Sequence, residues 1–373
     1  MRGVSFHAFE LSGKGIMAEI VAKPPSRWRP IVRLLIAFVV LDLILLSFRD
    51  TWEQHSPDDY AERVNGCAEE PREFVIVGGS PVSEGFNPHV LAGFTWKGQT
   101  LQNGYAVGLP GATTSETFLA TVHSCPTPPR VLIYGITVSD LNDSRREPHG
   151  PYSLMTRDDW SEWVSDRPKS AEWATRHYLQ GKLSKISSLW QYRHGIRMWA
   201  AHTIDEAIPG TCPDSAREAN ELRRYSHLLR TNRGYAPALG FVHGRYDVAK
   251  ANGVTLSPFT FLDRYRTGEH LTYLHKLAEW AEKHGVDLVL IDVPVTADLE
   301  ARYPEAFAEY AVRLKEFETS HEARVIRANR EVVGLTDADF ADVIHLNETG
   351  ARKLSLWLRH RLSTAAPRGG PRP

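Results

Sequence analysis

Apolar and polar positions fall into three distinct patterns along this chain. From Ile31 to Phe48 (IVRLLIAFVVLDLILLSF) the run is almost unbroken apolar. It is long enough for a helix that crosses a hydrocarbon core needing roughly 20 residues. Short β-branched runs come later, at Glu73 to Val77, Val131 to Tyr134, Asp287 to Val293 and Ala323 to Ala328, with a less apolar one at Tyr105 to Gly108. Such runs predict strands buried on both faces, as in parallel sheets. Helical periodicity occupies Thr114 to Ser124, Leu271 to His284, Pro304 to Thr319 and Glu348 to Leu362. Strands alternating with helices predict an α/β fold, a doubly wound parallel sheet with helices on both faces, for which the flavodoxin-like strand order is a common one.

The stretch Ser144 to Arg266 breaks that alternation. It holds Trp160, Trp163, Trp173, Trp190 and Trp199, many charges and few strand signals, and predicts a mainly helical insertion acting as a lid or substrate-binding subdomain. Its tryptophans suit either stacking on sugar rings or packing at helical spacing into a core. Residues 49–72 are polar, punctuated by Pro57, Gly66 and Pro71, and read as a linker. The folded domain is then expected over 73–363, ahead of a Pro/Gly/Arg tail over 364–373 with a disordered composition.

Charge around the apolar run gives it a direction. Arg27, Arg29 and Arg33 crowd its N-terminal end with Lys14 and Lys23 behind, while Asp50, Glu53, Asp58 and Asp59 follow it. By the positive-inside rule residues 1–30 are cytoplasmic, 31–48 form a single pass through the cytoplasmic membrane, and the rest is exported. No small-x-small site follows Ser47, which favours an uncleaved anchor. Met17 is an alternative start to Met1. Asp42 stands within the span, where a carboxylate costs about 2.5 to 3.5 kcal/mol. Either it meets another membrane protein or it is tolerated protonated or snorkelling.

At 373 residues and 42% hydrophobic, the chain can bury a large α/β core. Its 44 basic and 45 acidic residues nearly cancel, so no overall field attracts nucleic acid. Cys67, Cys125 and Cys212 are too few for a disulfide scaffold and lack zinc spacing. In a sheet of order 2-1-3-4-5, the strands that follow Cys67 and Cys125 are neighbours, so both thiols are expected at the edge opposite the active site. An oxidising compartment would permit them to bond; unpaired thiols, or pairing through Cys212, are the other readings. The sixteen histidines show no His-Glu-x-x-His spacing, and a Gly-Lys-Ser/Thr phosphate loop is absent, so no metal or other cofactor is expected.

Chemistry enters at the two ends of the α/β pattern. Gly79-Ser80 follows the first strand at once and puts a hydroxyl at the C-terminal edge of the sheet, with Pro81 suited to a first helical turn. Alone, such a serine is better read as a helix cap. Near the other end, Asp342 stands three residues before His345, just ahead of the last amphipathic helix, followed by Asn347, Thr349 and Gly350. A serine is a weak nucleophile until an imidazole takes its proton, and the imidazole needs a carboxylate to fix its tautomer. Asp342 and His345 supply both.

This ordered set resembles the SGNH, or GDSL-like, hydrolase superfamily. Val77-Gly78-Gly79-Ser80 is similar to its first block, with Gly79 where the family more often has Asp. Val107 to Thr114 (VGLPGATT) is similar to the second, in which Gly111 falls on the glycine whose amide helps bind the oxyanion, and Asp342 to His345 is similar to the last. The third block departs: the family has Gly-x-Asn-Asp, but this chain reads Gly135-Ile-Thr137-Val-Ser139-Asp140-Leu-Asn142-Asp143. Thr137 stands where the asparagine would, which leaves the third oxyanion donor open among Thr137, Ser139 and Asn142. The resemblance covers Glu73 to Asp143 and Asp287 to Leu362. It implies Ser80 as nucleophile, His345 as general base, Asp342 as its orienting carboxylate, and the amides of Ser80 and Gly111 at the oxyanion.

More loosely, the anchor, the Gly-Gly-Ser block and the Val293 to Thr296 segment (VPVT) resemble bacterial membrane-bound SGNH proteins. Some of these act beside membrane-bound O-acyltransferases in O-acetylating exopolysaccharides or D-alanylating wall polymers. That resemblance implies an extracytoplasmic serine esterase or O-acyltransferase working on acyl groups of a cell-surface polysaccharide, with a membrane-bound O-acyltransferase as partner. A lipid or small-ester esterase and a non-catalytic SGNH-fold assembly protein are the other readings.

Overall fold

A computed structural model of the chain describes residues 28–49, 51, 59–145, 155–166, 171–211, 213–237, 243–253, 257–321 and 323–364. Cys212, most of the N-terminal segment and nearly all of the C-terminal tail lie outside these residues. Helix α1 (Arg29–Ser47) has no buried residue and is long and apolar enough to cross a membrane. Helix α2 (Asp59–Ala68) follows and leads into strand β1 (Phe74–Gly78). With β2 (Gly104–Gly108), β3 (Val131–Ile136), β4 (Asp287–Asp292) and β5 (Arg324–Arg327) it forms one parallel sheet of order β2-β1-β3-β4-β5. Every residue of β1, β2 and β3 is buried, as continuous β-branched runs require when helices cover both faces. The edge strand β5 is half-open, and its pattern Arg-Val-Ile-Arg shows it.

The register aligns the strand ends. Phe74 pairs with Gly104 and Val131, and Gly78 pairs with Gly108 and Gly135, so the first three strands begin and end together. Their C-terminal ends therefore present three loops at one edge. Helix α3 (Ser80–Gly85) leaves β1 there, and α4 (Thr114–Ser124) starts beyond the loop after β2. Thr113 and Glu116 close a capping box on α4, which pins where that loop must end.

The insertion is helical, as its composition predicts. It contains α5 (Arg157–Asp166), α6 (Ala171–Ile186), α7 (Ser188–Ala207), α8 (Pro213–Thr231) and the short α9 (Tyr246–Ala251). Its described parts reach two regions. Helix α9 lies beside the loop ahead of the last helix, with Tyr246 N donating to Phe340 O at 2.8 Å and Gly244 O accepting from Asn347 Nδ2 at 2.9 Å. Helices α5 and α6 dock on the flank, where Met155, Trp163 and Ala174 bury against Leu119 of α4 and Tyr273 of α10 (Glu269–Lys283). Helix α8 packs on α2. Trp163 is thus core and Trp160 stacks on Tyr178, whereas Trp190 and Trp199 are exposed. The sheet order is completed by α11 (Pro304–Ser320) between β4 and β5, and by α12 (Glu348–Ser363), which packs on α3.

Two elements depart from the sequence reading. The polar stretch read as linker contains α2, whose Arg63, Val64 and Cys67 are buried, so the folded unit begins near residue 59. Arg63 is fully enclosed because its guanidinium donates to the carbonyl of Gly234, to Ser83 Oγ at 2.8 Å and to the hydroxyl of Tyr225. A small antiparallel hairpin, Phe94–Trp96 with Gln99–Leu101, also precedes β2, turning on Lys97 and Gly98 at positive φ. Cys67 and Cys125 meet as the strand order requires. Both are buried and unbonded, lining one small cavity at the edge where β1 and β3 begin.

Candidate active site

Ser80 is the first residue of α3, with Gly79 as the extended N-cap and Pro81 in the first turn. The tight exit from β1 depends on Gly78, whose φ of +154° and surroundings exclude a side chain: a Cβ there would lie 2.4 Å from the carbonyl oxygen of Gly135. The chain can then reverse within two residues and turn the serine hydroxyl toward the loop ahead of α12.

That loop is held from several sides. Phe340 bridges Leu346, the amide of Ala341 donates to the carbonyl of His345 at 2.8 Å, and Thr296 donates its N–H to Val343 O at 3.0 Å. Asn347 caps α12 through Gly350 N and sends its side-chain amide to the carbonyls of Gly244 and Ala338. The result is a linear relay. Ser80 Oγ lies 2.8 Å from His345 Nε2, and His345 Nδ1 lies 2.7 Å from Asp342 Oδ2. Asp342 Oδ1 accepts the amides of Ile344 and His345 at 2.9 and 2.8 Å. With Asp342 ionised, Nδ1 carries the proton and Nε2 presents its lone pair to the serine.

Electrostatics favour that state. Burial works to raise the Asp342 pKa, but the bond and charge of His345 and the two backbone donors hold it below the usual carboxylate range. Burial works to lower His345, yet its bond to Asp342, the charge of Glu84 and the charge of Asp342 push it above an ordinary imidazole, with Arg145 opposing. Glu84 stands one turn beyond Ser80 on the same helix, nearly fully buried, with Oε2 3.4 Å from His345 Nε2.

The loop carrying Gly111 lies beside the serine. Leu109 N donates to Gly78 O at 2.8 Å, and Gly111 takes a φ of +79° that lets the loop double back. Arg145 clamps it from behind by donating to the carbonyls of Gly111 at 2.8 Å and Ala112 at 3.3 Å. The same guanidinium stands 3.6 Å from the carboxylate of Asp140. Asp140 is buried, and burial pushes its pKa up against the pull of Arg145 and Thr137.

The third block carries structural bonds. Thr137 donates both its N–H and its hydroxyl to Asp140 Oδ2, at 2.7 and 2.8 Å. Asn142 donates to Phe261 O and accepts from the amides of Ser144 and Arg266, which ties the end of the insertion to the sheet. Asp143 accepts the amides of Glu269 and His270 at the start of α10. Thr137 and Asn142 are therefore committed away from an oxyanion, and Ser139 is the member of the trio whose buried hydroxyl has no hydrogen-bond partner among the described residues.

Ser80, Asp342 and His345 come together, and the loop of Gly111 lies beside them. Glu84 and Arg145 are the charged neighbours that sequence reasoning missed. Glu84 carried a signal, since four residues after Ser80 on a helix means the same face. Arg145 carried none, because it lies in an irregular stretch at the start of the insertion. Among the described residues no group of three His, Cys, Asp or Glu is arranged to hold a metal ion. No family model matches this chain, and no curated protein matches it either.

Proposed function

We propose that this protein is a membrane-anchored serine esterase or O-acyltransferase of the SGNH type, acting outside the cytoplasmic membrane on acyl groups of a cell-surface polysaccharide. The observation that carries the reading is the Ser80–His345–Asp342 relay at the C-terminal edge of a doubly wound parallel sheet, with separations of 2.8 and 2.7 Å. Ser80 Oγ attacks the acyl carbonyl as its proton passes to His345 Nε2, and the imidazolium then protonates the departing alkoxide. An acyl-Ser80 ester results. Water or a sugar hydroxyl attacks it, giving its own proton to His345, and Ser80 regains the proton as it leaves. Amides of Ser80 and Gly111 serve the oxyanion in this scheme, a contribution whose loss typically costs ~10²- to 10³-fold in rate.

The polymer substrate and a membrane-bound O-acyltransferase partner rest on the sequence resemblance. The single pass with its N-terminus inside rests on the arginines before α1. The test is a fluorophosphonate probe on the full chain. Labelling that is lost in Ser80→Ala supports the enzyme. A folded wild type that does not label points instead to the non-catalytic assembly role, which the structural use of Thr137 and Asn142 favours.

A further inference from the structure

Helices α6 and α7 form an antiparallel pair joined at Ser187, and their turn is unusually greasy for a surface. Ile186 is 78% exposed, and Leu179, Leu183, Leu189 and Trp190 are exposed around it. Soluble faces rarely gather such a patch at a single helix turn. The part of the pair nearer the turn is basic: from Trp173 to Ile204 the sequence has five Lys or Arg residues and no Asp or Glu, while Glu172, Asp205 and Glu206 stand at the far ends of the two helices. Arg193 lies over the ring of Trp190 at 4.8 Å, a cation on an amphipathic aromatic.

The tip also touches α1. Asp42 accepts from Ser187 Oγ at 2.9 Å and from the amide of Leu189 at 3.0 Å, so the carboxylate of one helix caps the first turn of the other. Asp42 lies five residues before Ser47, the last residue of α1. At 1.5 Å per residue that is about 8 Å along the helix axis. An interfacial helix buries its apolar face by about 5 to 10 Å. If α1 crosses the bilayer, a tip held at Asp42 is at that depth.

We propose that the α6–α7 turn is a second membrane contact, inserted into the lipid leaflet on the side where the folded domain lies. In this arrangement Leu183, Ile186 and Leu189 face acyl chains and the basic flanks meet lipid phosphates. Asp42 then has a structural duty: it satisfies the open N-terminus of α7 inside lipid, where water cannot. The domain is held to the membrane at two points, which restricts its rotation about α1. The proposal rests on α1 spanning the membrane and is independent of the chemistry at Ser80.

Full-length protein carrying Cys212→Ser and a single added thiol, labelled with an environment-sensitive fluorophore, tests it in phosphatidylcholine–phosphatidylglycerol vesicles. Ile186→Cys reports the tip, Leu46→Cys reports α1, and Val312→Cys reports an exposed site on α11. Acyl-chain doxyl lipid should remove most of the fluorescence at both Leu46 and Ile186 and little at Val312, with aqueous iodide showing the reverse order. Adding Asp42→Ala should return the Ile186 label toward iodide without moving the Leu46 label. An Ile186 label quenched by iodide while Leu46 is quenched by lipid overturns the proposal and leaves the anchor standing. Shielding of Ile186 from both quenchers overturns it in favour of a protein partner. Iodide quenching at Leu46 as well removes the anchor and the proposal together.

Discussion

Replacing Asp342 by asparagine isolates one step of the proposed relay without emptying the site. In the native loop Oδ1 accepts the amides of Ile344 and His345, and those two donors require an acceptor at that position. The asparagine oxygen therefore takes the place of Oδ1, and its NH₂ falls where Oδ2 stood, 2.7 Å from His345 Nδ1. Two donors cannot face one another. The imidazole responds by placing its proton on Nε2, which then points an N–H at Ser80 Oγ in place of a lone pair. The base is lost while the fold is kept. A wrong tautomer of this kind costs on the order of 10⁴ in rate, or about 5 to 6 kcal/mol of barrier at 1.36 kcal/mol per tenfold. The assay is the second-order rate of fluorophosphonate labelling, paired with p-nitrophenyl acetate turnover, for wild type, Asp342→Asn and Ser80→Ala. An Asp342→Asn protein that melts like wild type and labels within tenfold of it would refute the relay.

Three other outcomes follow from the same geometry. Glu84→Gln removes a carboxylate that helps push His345 above the ordinary imidazole range, so the pH at which labelling reaches half its maximum should move downward; an unmoved profile shows that Glu84 does not face the working base. Asp292 is pushed from 3.8 to about 6 by burial, against the hydroxyl of Tyr310 and the charge of Arg327. Because its folded pKa lies above the unfolded one, it stabilises the fold through its proton below about pH 4, and that contribution fades as pH rises through about 6. Asp292→Asn should accordingly gain on the order of 2 to 3 kcal/mol over wild type at pH 8 and little at pH 4, read by denaturant titration, and a pH-independent difference would count against the buried carboxylate. Arg63→Met leaves the carbonyl of Gly234 and the hydroxyls of Ser83 and Tyr225 without their guanidinium donor and should cost about 1 to 3 kcal/mol, read the same way; a loss under about 0.5 kcal/mol would return α2 to the status of a linker.

Short-range pattern was enough for the sheet and its covering helices. A parallel strand enclosed on both faces must be apolar at every position, so β1, β3 and β4 stand out against any polar surroundings, and α4 is bounded by a capping box written in four consecutive residues. The trio of Ser80, His345 and Asp342 was legible for a related reason: Ser80 directly follows a strand, and Asp342 and His345 share one short loop. Helix α2 was hidden because Arg63 looks like a solvated charge until Gly234, Ser83 and Tyr225, all remote in sequence, are seen to enclose it. Arg145 acquired its place only when the β3 loop folded against the loop of Gly111. The surface that receives α5 and α6 was equally undetermined, since an amphipathic helix specifies that it must bury a face but not which surface receives it. Asp42 shows the division most plainly. Its cost in an apolar helix follows from local chemistry, whereas its partners, Ser187 and Leu189, lie more than a hundred residues away. Composition and periodicity are set by what each residue must avoid in its own neighbourhood; the pairing of buried polar groups depends on which distant donors the folded chain brings within hydrogen-bond reach.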